Sequence, residues 1–342
     1  MQQVVVEQFG GPEVLALRDV PTPSPGPGEV LVRLISIGMN HADLMGRRGD
    51  YKLSTGDPPF TPGLEGGGVI ESVGEGVSGE RIGQRVCLAP DAPRLSKGRP
   101  GTYASHYVCN DNEAIPAPDA LPDDQLGAIW LPYLTAWGAL VWKAKIQRGQ
   151  VVACPAASSS TALAAAQIAR HHGTTTIGLT TSPEKSETLA EHFDHVVVTH
   201  EARGADGERV MRPWHREIKQ LIGGRGVDVF FDPVAAGPYL STEIRCLAQH
   251  GCVVVYGLLG AADAVDVTPL IRKYASIVGY VNDELFGIGP EAWRPGVEHL
   301  LQGFASGVYR QTLAKRFALA DVQDAHEQMQ RGDHVGKMVL IP

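Results

Sequence analysis

Residues 150–167, QVVACPAASSSTALAAAQ, have the types and the spacing to hold a phosphate. A β-prone run, Val151 to Cys154, meets a turn of small residues, Pro155 to Ser160, which opens into a helix-prone run from Thr161 to Arg170. A strand, a tight turn and a helix start in that order aim backbone N–H groups and the positive end of the helix dipole at an anion such as a dinucleotide pyrophosphate. The six positions of a G-x-G-x-x-G pattern fall on Ala157, Ser158, Ser159, Ser160, Thr161 and Ala162, so the usual glycines are missing. Alanine suffices at the last position, where the need is close helix–strand packing. Serine is small enough for a phosphate to approach the backbone, and its hydroxyl can donate a hydrogen bond or cap the helix. The same residues also describe a buried strand and a Ser-capped helix with no ligand, and this stretch alone leaves both open.

The next β-prone run ends at Thr180-Thr181-Ser182. Sites for NAD usually place Asp or Glu there to bind the ribose 2′-OH, and such a carboxylate would repel a 2′-phosphate. Here hydroxyls stand in that place and Lys185 follows, a grouping suited to the 2′-phosphate of NADPH: Thr180 and Ser182 as neutral donors, Lys185 as the cation, and a helix start. A solvated helix start with an exposed lysine is the plainer alternative. Gly257, after the run VVVY, would let backbone approach the nicotinamide.

Composition narrows the classes. The chain has 342 residues, enough for two domains with separate cores. Thirty Lys and Arg against 38 Asp and Glu give a formal charge of −8, which offers no broad attraction to nucleic acid or an anionic membrane. No apolar run reaches the ~18–20 residues of a membrane span. The opening MQQVVVEQFGGPEV lacks the basic and apolar regions of a signal peptide. Five cysteines, Cys87, Cys109, Cys154, Cys246 and Cys252, make an odd number without a C-x-x-C pair. That pattern fits reduced thiols, and a cytoplasmic location is expected.

The elements that must position these residues divide the chain. Over the first ~120 residues, VVVEQF, EVLVRLISIG, GGGVIESVG and RVCLAP run between Gly and Pro punctuation, as in an antiparallel, partly barrel-like β domain. After the Pro-rich IPAPDALPDD, helix and strand alternate. A helix over Gln125 to Trp142 is expected, then VVACP, a helix at 161–172, TTTIGLT, a helix near 183–192 and HVVVTH. GVDVFFDPV and GCVVVYGLL read as buried parallel strands. Repeated βα units imply a doubly wound sheet. Residues 201–217, EARGADGERVMRPWHRE, are polar without a period and read as a surface insertion. The C-terminal part returns to helix (GVEHLLQGFASG, LADVQDAHEQMQ) and closes on the strand GKMVLIP.

Several blocks together resemble the zinc-free quinone oxidoreductase (zeta-crystallin-like) branch of the medium-chain dehydrogenase/reductase superfamily. They are FGGPEVL, IGMNHADLMGRRGDYK, FTPGLEGGGVIESVGEGV, GTYASHYV, YLTAWGAL, AASSSTALAAAQIA, GVDVFFDPV and the closing VGKMVL, in order over nearly the whole chain. Departures are Thr161–Ala162 where Val-Gly is usual, and Ala235 where Gly is usual.

The resemblance implies an α/β protein of two domains. One is a GroES-like β-barrel catalytic domain over 1–124 and 283–342; the other is a Rossmann doubly wound parallel-sheet domain binding NADPH over 125–282. It implies hydride transfer to a quinone, enone or enoyl substrate, usually by a homodimer. Asn40, Tyr51 and Thr135 align with cleft residues. Asn40 would bind a substrate oxygen or orient the nicotinamide ribose, Thr135 would sit beside the nicotinamide carboxamide, and Tyr51 would donate a proton. Each also has a plain reading as a turn residue, a helix hydroxyl bonded to its own backbone, or a loop aromatic. His200, where tyrosine is frequent, would stack on the adenine or touch the phosphate, and Lys337 would approach the cofactor. Glu65 and Asp43 are expected to organise the domain. Zinc enzymes of the superfamily carry Cys where this chain has Asn40 and His where it has Leu64, so no zinc is expected, and His41 beside Asp43 reads as a turn histidine. Two rivals to a general quinone or C=C reductase stay open: a dedicated enoyl or enone reductase of a biosynthetic pathway, and a non-catalytic NADPH-binding protein.

Overall fold

The run EVLVRLISIG becomes a single ten-residue strand, Glu29–Gly38, and the first unit is built around it. In the computed structural model, which describes residues 1–51, 56–90, 99–201, 210–261 and 263–342, the chain divides into two units. These are Met1–Leu131 with His299–Pro342, and Pro132–Glu298.

In the first unit β1 (Gln2–Val6) and β2 (Leu15–Asp19) form an antiparallel pair. β3 (Glu29–Gly38) pairs antiparallel with β4 (Gly67–Val73) and β6 (His106–Asn110); β5 (Arg85–Leu88) and β7 (Ala114–Pro116) extend the sheet beyond β4. With partners on both sides and side chains buried on both faces toward its end, β3 can be nearly continuous in apolar residues. Two strands separated from these by the whole second unit complete the sheet: β14 (Leu313–Ala318) and β15 (Lys337–Ile341). β15 runs antiparallel to β3, with Val339 opposite Gly38 and Leu340 opposite Ile37. That register carries Lys337 to the end of β3, where Asn40 follows. Val4, Val32, Ile37, Ile70, Val86, Tyr103 and Leu340 belong to the core.

The second unit is a six-stranded sheet, parallel throughout. Its strands are β8 (Val151–Cys154), β9 (Thr175–Thr180), β10 (His195–Val198), β11 (Val227–Asp232), β12 (Leu247–Val255) and β13 (Ser276–Gly279). They lie in the order β10-β9-β8-β11-β12-β13. Counted from β8 this is 3-2-1-4-5-6, the dinucleotide-binding order, and its switch point lies between β8 and β11. All four residues of β8 are buried, as the central strand of such a sheet requires. Helix Ser160–His171 follows it with Ala162, Ala164, Ala165, Ala166 and Ala169 fully buried; small side chains let the helix lie close to the sheet.

Two local readings differ from the structure. In place of one helix over Gln125 to Trp142 there is a 3-10 turn at Asp123–Gln125, an α-helix at Trp130–Trp137 and a π-helical turn at Gly138–Lys143. Pro132 has no N–H to give a preceding turn, so the helix starts just before it. The polar stretch 201–217 has its middle, 202–209, outside the described residues, but its end is structural. Trp214 is 1% exposed and leads into helix His215–Leu221. One large buried side chain anchors a segment whose composition is otherwise polar. Among the described residues no helix is long and apolar enough to cross a membrane.

Candidate active site

The turn after β8 sits at the switch point. Ala156 adopts a left-handed conformation, φ 49°, and the chain then turns up so that Ala157 N–H donates to Leu179 O on β9 at 3.0 Å. Ser159 is the N-cap: extended backbone, with its Oγ accepting from Ala162 N–H at 3.1 Å. That bond uses one donor of the first turn, and the cap residue fixes where the helix begins. Ser158 Oγ lies 3.1 Å from Lys185 Nζ. The structure therefore brings the lysine after β9 onto the serine turn after β8.

Beyond β9, Thr180 is 4% exposed and its Oγ1 accepts from Ser182 N–H at 3.1 Å, shaping the turn that leads to Pro183–Lys185. Thr180 therefore acts chiefly on its own turn, while Ser182 and Lys185 stand nearer the surface. At the end of β10, Thr199 Oγ1 contacts His200 Nδ1 at 2.9 Å, and the His200 ring lies parallel to Tyr239, 12° between planes and 6.4 Å between centroids. No carboxylate belongs to Thr180-Thr181-Ser182.

The loop after β11 is held by Asp232, fully buried, whose two oxygens accept from Val234 N–H at 2.7 Å and Ala235 N–H at 2.8 Å. This turn forces Ala235 to φ 52°, a conformation glycine would adopt at less cost. Glu243, also fully buried, has its carboxyl pushed well up by burial and by Asp232. Gly257 approaches this loop: an added Cβ would lie 3.1 Å from the Cα, Cβ and O of Pro233. Thr135, on helix Trp130–Trp137, accepts from Asn282 Nδ2 at 3.2 Å, and Tyr280 hydroxyl donates to Asn282 Oδ1 at 2.9 Å. Asn282 had no motif to reveal it; its link to Thr135 spans 147 positions.

In the first unit, Asn40 lies in a buried polar cluster. Its backbone N–H donates to Asp43 Oδ2 at 2.8 Å, and its Nδ2 donates to Gly38 O and to Glu65 Oε1, both at 3.1 Å. Lys337, 1% exposed, donates to Asn40 Oδ1 at 2.5 Å and pairs with Glu65. Glu65 Oε2 accepts from Leu131 N–H at 3.0 Å. Tyr103 hydroxyl donates to Asp43 at 3.3 Å and lies 3.3 Å from His326 Nε2. Burial, ahead of the hydrogen bonds that oppose it, raises the Asp43 carboxyl to about 7. Burial, then Arg47, lowers His326 to about 3, so this imidazole is neutral at ordinary pH.

Every polar atom of the Asn40 amide is thus engaged by the protein. The Lys337 ammonium is bonded to the Asn40 oxygen, a charge that opposes a metal cation there, and Leu64 offers no ligand atom. These residues do not fit a zinc ion. Among the described residues no three His, Cys, Asp or Glu side chains group as metal ligands. A nicotinamide dinucleotide does fit the second unit, where a helix N-terminus, a serine turn and a lysine converge at the switch point. The expected residues thus fall into two groups. Ala157 to Ala162, Thr180, Ser182, Lys185, His200, Gly257 and Thr135 belong to the second unit; Asn40, Tyr51 and Lys337 belong to the first.

The fold and the switch-point turn define a nucleotide-dependent oxidoreductase architecture, and comparison with known proteins makes it specific. The alcohol dehydrogenase GroES-like domain matches residues 26–119 and the zinc-binding dehydrogenase domain matches 161–301. Quinone oxidoreductase of Rattus norvegicus is 32% identical over 100% of this chain and 98% of its own. A 2-haloacrylate reductase of a Burkholderia species is 30% identical over 99% and 98%. Among solved structures, an NAD-dependent alcohol dehydrogenase superposes with TM-score 0.86 at 28% identity, covering 100% of both chains. A mycobacterial protein complexed with NADPH superposes with TM-score 0.84 at 26% identity, also covering both chains fully. The chain belongs to the quinone oxidoreductase (zeta-crystallin-like) branch of the medium-chain dehydrogenase/reductase superfamily.

Proposed function

We propose that this chain is an NADPH-dependent, zinc-independent oxidoreductase that reduces quinones or activated C=C bonds, acting as a cytoplasmic homodimer. The observation that carries the cofactor reading is the contact of Lys185 with Ser158, which joins a cation to the phosphate turn beside a strand end without a carboxylate. NADPH, when bound, supplies the hydride. Backbone N–H groups of the serine turn and the helix start hold the pyrophosphate, those of Ala157, Ser159 and Ala162 being taken by Leu179 O, Ala156 O and Ser159 Oγ, and Ser182 with Lys185 holds the 2′-phosphate. His200 flanks the adenine, Gly257 keeps the backbone low at the nicotinamide end, and Thr135 orients the carboxamide. Asn40, whose two amide protons are taken by Gly38 and Glu65, orients the nicotinamide ribose through the lone pair left on its Oδ1. Lys337, fixed on Asn40 and Glu65, keeps that amide in place. Tyr51 gives the proton to the enolate that hydride addition to an activated C=C leaves. The protein's main work is alignment and exclusion of water.

The names of two relatives support the substrate class: one reduces quinones, the other a haloacrylate, which is an activated C=C. The homodimer reading is supported by the sheet edge. Among the described residues β13 has no partner on its outer side, and Ile271 and Tyr274 just before it are 79% and 73% exposed. The thiols, four of the five buried, suit a reducing cytoplasm.

Fluorescence titration with NADPH, followed by turnover on a panel of quinones and enones, tests this reading. Binding without turnover of any panel member would favour a non-catalytic NADPH-binding protein. Tyr51→Phe separates the substrates. An enolate needs a proton donor, and general-acid help is worth ~10²–10⁴ in rate, whereas a hydroquinone anion is protonated readily by water. Enone turnover should fall at least ~10-fold while quinone turnover holds. An unchanged enone rate would remove Tyr51 from the mechanism.

A further inference from the structure

The half-buried Thr135 hydroxyl closes a chain whose other two members, Tyr280 and Asn282, are buried within the second unit, and the chain fixes which way it can donate. Gly138 lies just beyond Thr135, where helix gives way to the π-helical turn. A Cβ there would lie 1.7 Å from the Tyr280 hydroxyl, so the missing side chain is what admits the phenol. Tyr280, 4% exposed, donates to Asn282 Oδ1 at 2.9 Å. With its oxygen so occupied, the Asn282 amide turns Nδ2 toward Thr135 Oγ1, 3.2 Å away. Asn282 is itself buried.

A threonine hydroxyl has one proton and two lone pairs. Asn282 takes a lone pair, so the Thr135 proton is left to be donated elsewhere. Had the amide been reversed, its oxygen would consume that proton and Thr135 could only accept. We propose that Tyr280 and Asn282 are positioning residues which set the Thr135 hydroxyl as a hydrogen-bond donor to the carboxamide oxygen of the bound nicotinamide. This rests on the NADPH reading above. It adds a direction to the bond and two residues that impose it without touching cofactor.

The test uses two ligands on the purified full-length chain: NADPH, and 2′,5′-ADP, which keeps the 2′-phosphate but lacks the nicotinamide. Asn282→Asp replaces the donor by a carboxylate that accepts from both hydroxyls and so reverses Thr135. NADPH should bind about tenfold more weakly, with 2′,5′-ADP within about twofold of wild type. Tyr280→Phe keeps the ring and frees the amide to turn; it should weaken NADPH selectively, by a smaller factor. In a Thr135→Val background, Asn282→Asp should cost NADPH nothing further. Equal weakening of both ligands would make Asn282 a structural residue only and overturn the proposal, as would unchanged NADPH affinity in both variants. If Asn282→Asp fails to fold, the Tyr280→Phe result decides alone. A wild-type chain that binds neither ligand would overturn the cofactor reading itself, and this inference with it.

Discussion

The serine turn of the second unit and the buried cluster of the first are both networks of polar side chains, yet they are built on opposite terms. The turn is local. Ser159 caps its helix by accepting from an N–H three residues on, and Ser158 meets Lys185 at a separation of 27. Its hydroxyls are only half-buried, so water can replace what a substitution removes. The cluster is assembled from afar. Lys337 meets Asn40 across 297 positions and Glu65 across 272, all three being nearly sealed from solvent. Charges there have no solvent to fall back on, so each depends on its partner. A turn of this kind can be retuned for a ligand with the fold intact, whereas the cluster couples site and stability.

The sharpest way to break that contrast is Lys337→Met. It removes the ammonium and leaves the Glu65 carboxylate buried with only neutral donors, Asn40 and Leu131. Removing one partner of a buried pair typically costs ~3–5 kcal/mol. Urea unfolding should show a loss of that order, and Glu65→Gln added to Lys337→Met should recover much of it. A loss below ~1 kcal/mol would mean that the cluster is wetter and looser than its burial indicates.

Ser159→Asp is the matching change in the turn. Aspartate caps a helix as well as serine does, so the fold should hold its stability within about 0.5 kcal/mol. A carboxylate facing a pyrophosphate should nevertheless cost NADPH affinity on the order of 100-fold, ~2.7 kcal/mol. Unfolding and NADPH titration on the same sample separate the two effects. Retained affinity would place the pyrophosphate elsewhere.

Asp43 sharpens the comparison through pH. Its carboxyl is raised to about 7 in the folded chain, chiefly by burial, from an ordinary value of 3.8. Between those limits the folded state keeps a proton that the unfolded state gives up. The folded state is therefore favoured fully below pH ~4, and this advantage is lost as pH rises toward 7, by ~1.4 kcal/mol per pH unit at most. Asp43→Asn keeps an oxygen for the Asn40 N–H and removes the titration. The stability difference between wild type and variant should therefore change steadily between pH 5 and 6.5. Parallel curves over that interval would show that Asp43 is ionised in the fold.

What the sequence discloses follows the same division. Strand β3 and the parallel strands were legible because period and β-branching are local properties, and the serine turn because strand, small residues and helix adjoin. Repeated βα units announce a doubly wound sheet, while the order β10-β9-β8-β11-β12-β13 is one of several such a sheet can take. The π-helical turn after Thr135 carries no such mark, and Trp214 hides inside a polar stretch. Asn282 and Glu65 could not be matched with Thr135 and Lys337, because a single chain states residue types but not which distant ones meet. Lys337 is named through the resemblance, as a residue that would approach the cofactor. Its place against Asn40 depends on β15 adding to β3, a register no local pattern announces.

Lys185→Ala should have the smallest effect, and it asks what the turn discriminates. The lysine reaches Ser158 at 3.1 Å and remains partly open to solvent, so its removal should barely alter unfolding. Its charge should tell on affinity when a 2′-phosphate is present. Hydrogen bonds to charged groups contribute ~1.5–3 kcal/mol when well formed, and exposure reduces that, so a loss of about fivefold to tenfold in NADPH affinity is expected. NADH carries a hydroxyl at the same place and should bind the variant nearly as it binds the wild type. Raising the salt concentration should shrink the NADPH difference, because a partly exposed ion pair is screened. The decisive quantity is the ratio of the two losses. Were NADH to weaken as much as NADPH, Lys185 would be supporting the serine turn through Ser158, and the 2′-phosphate would have to be recognised by other groups.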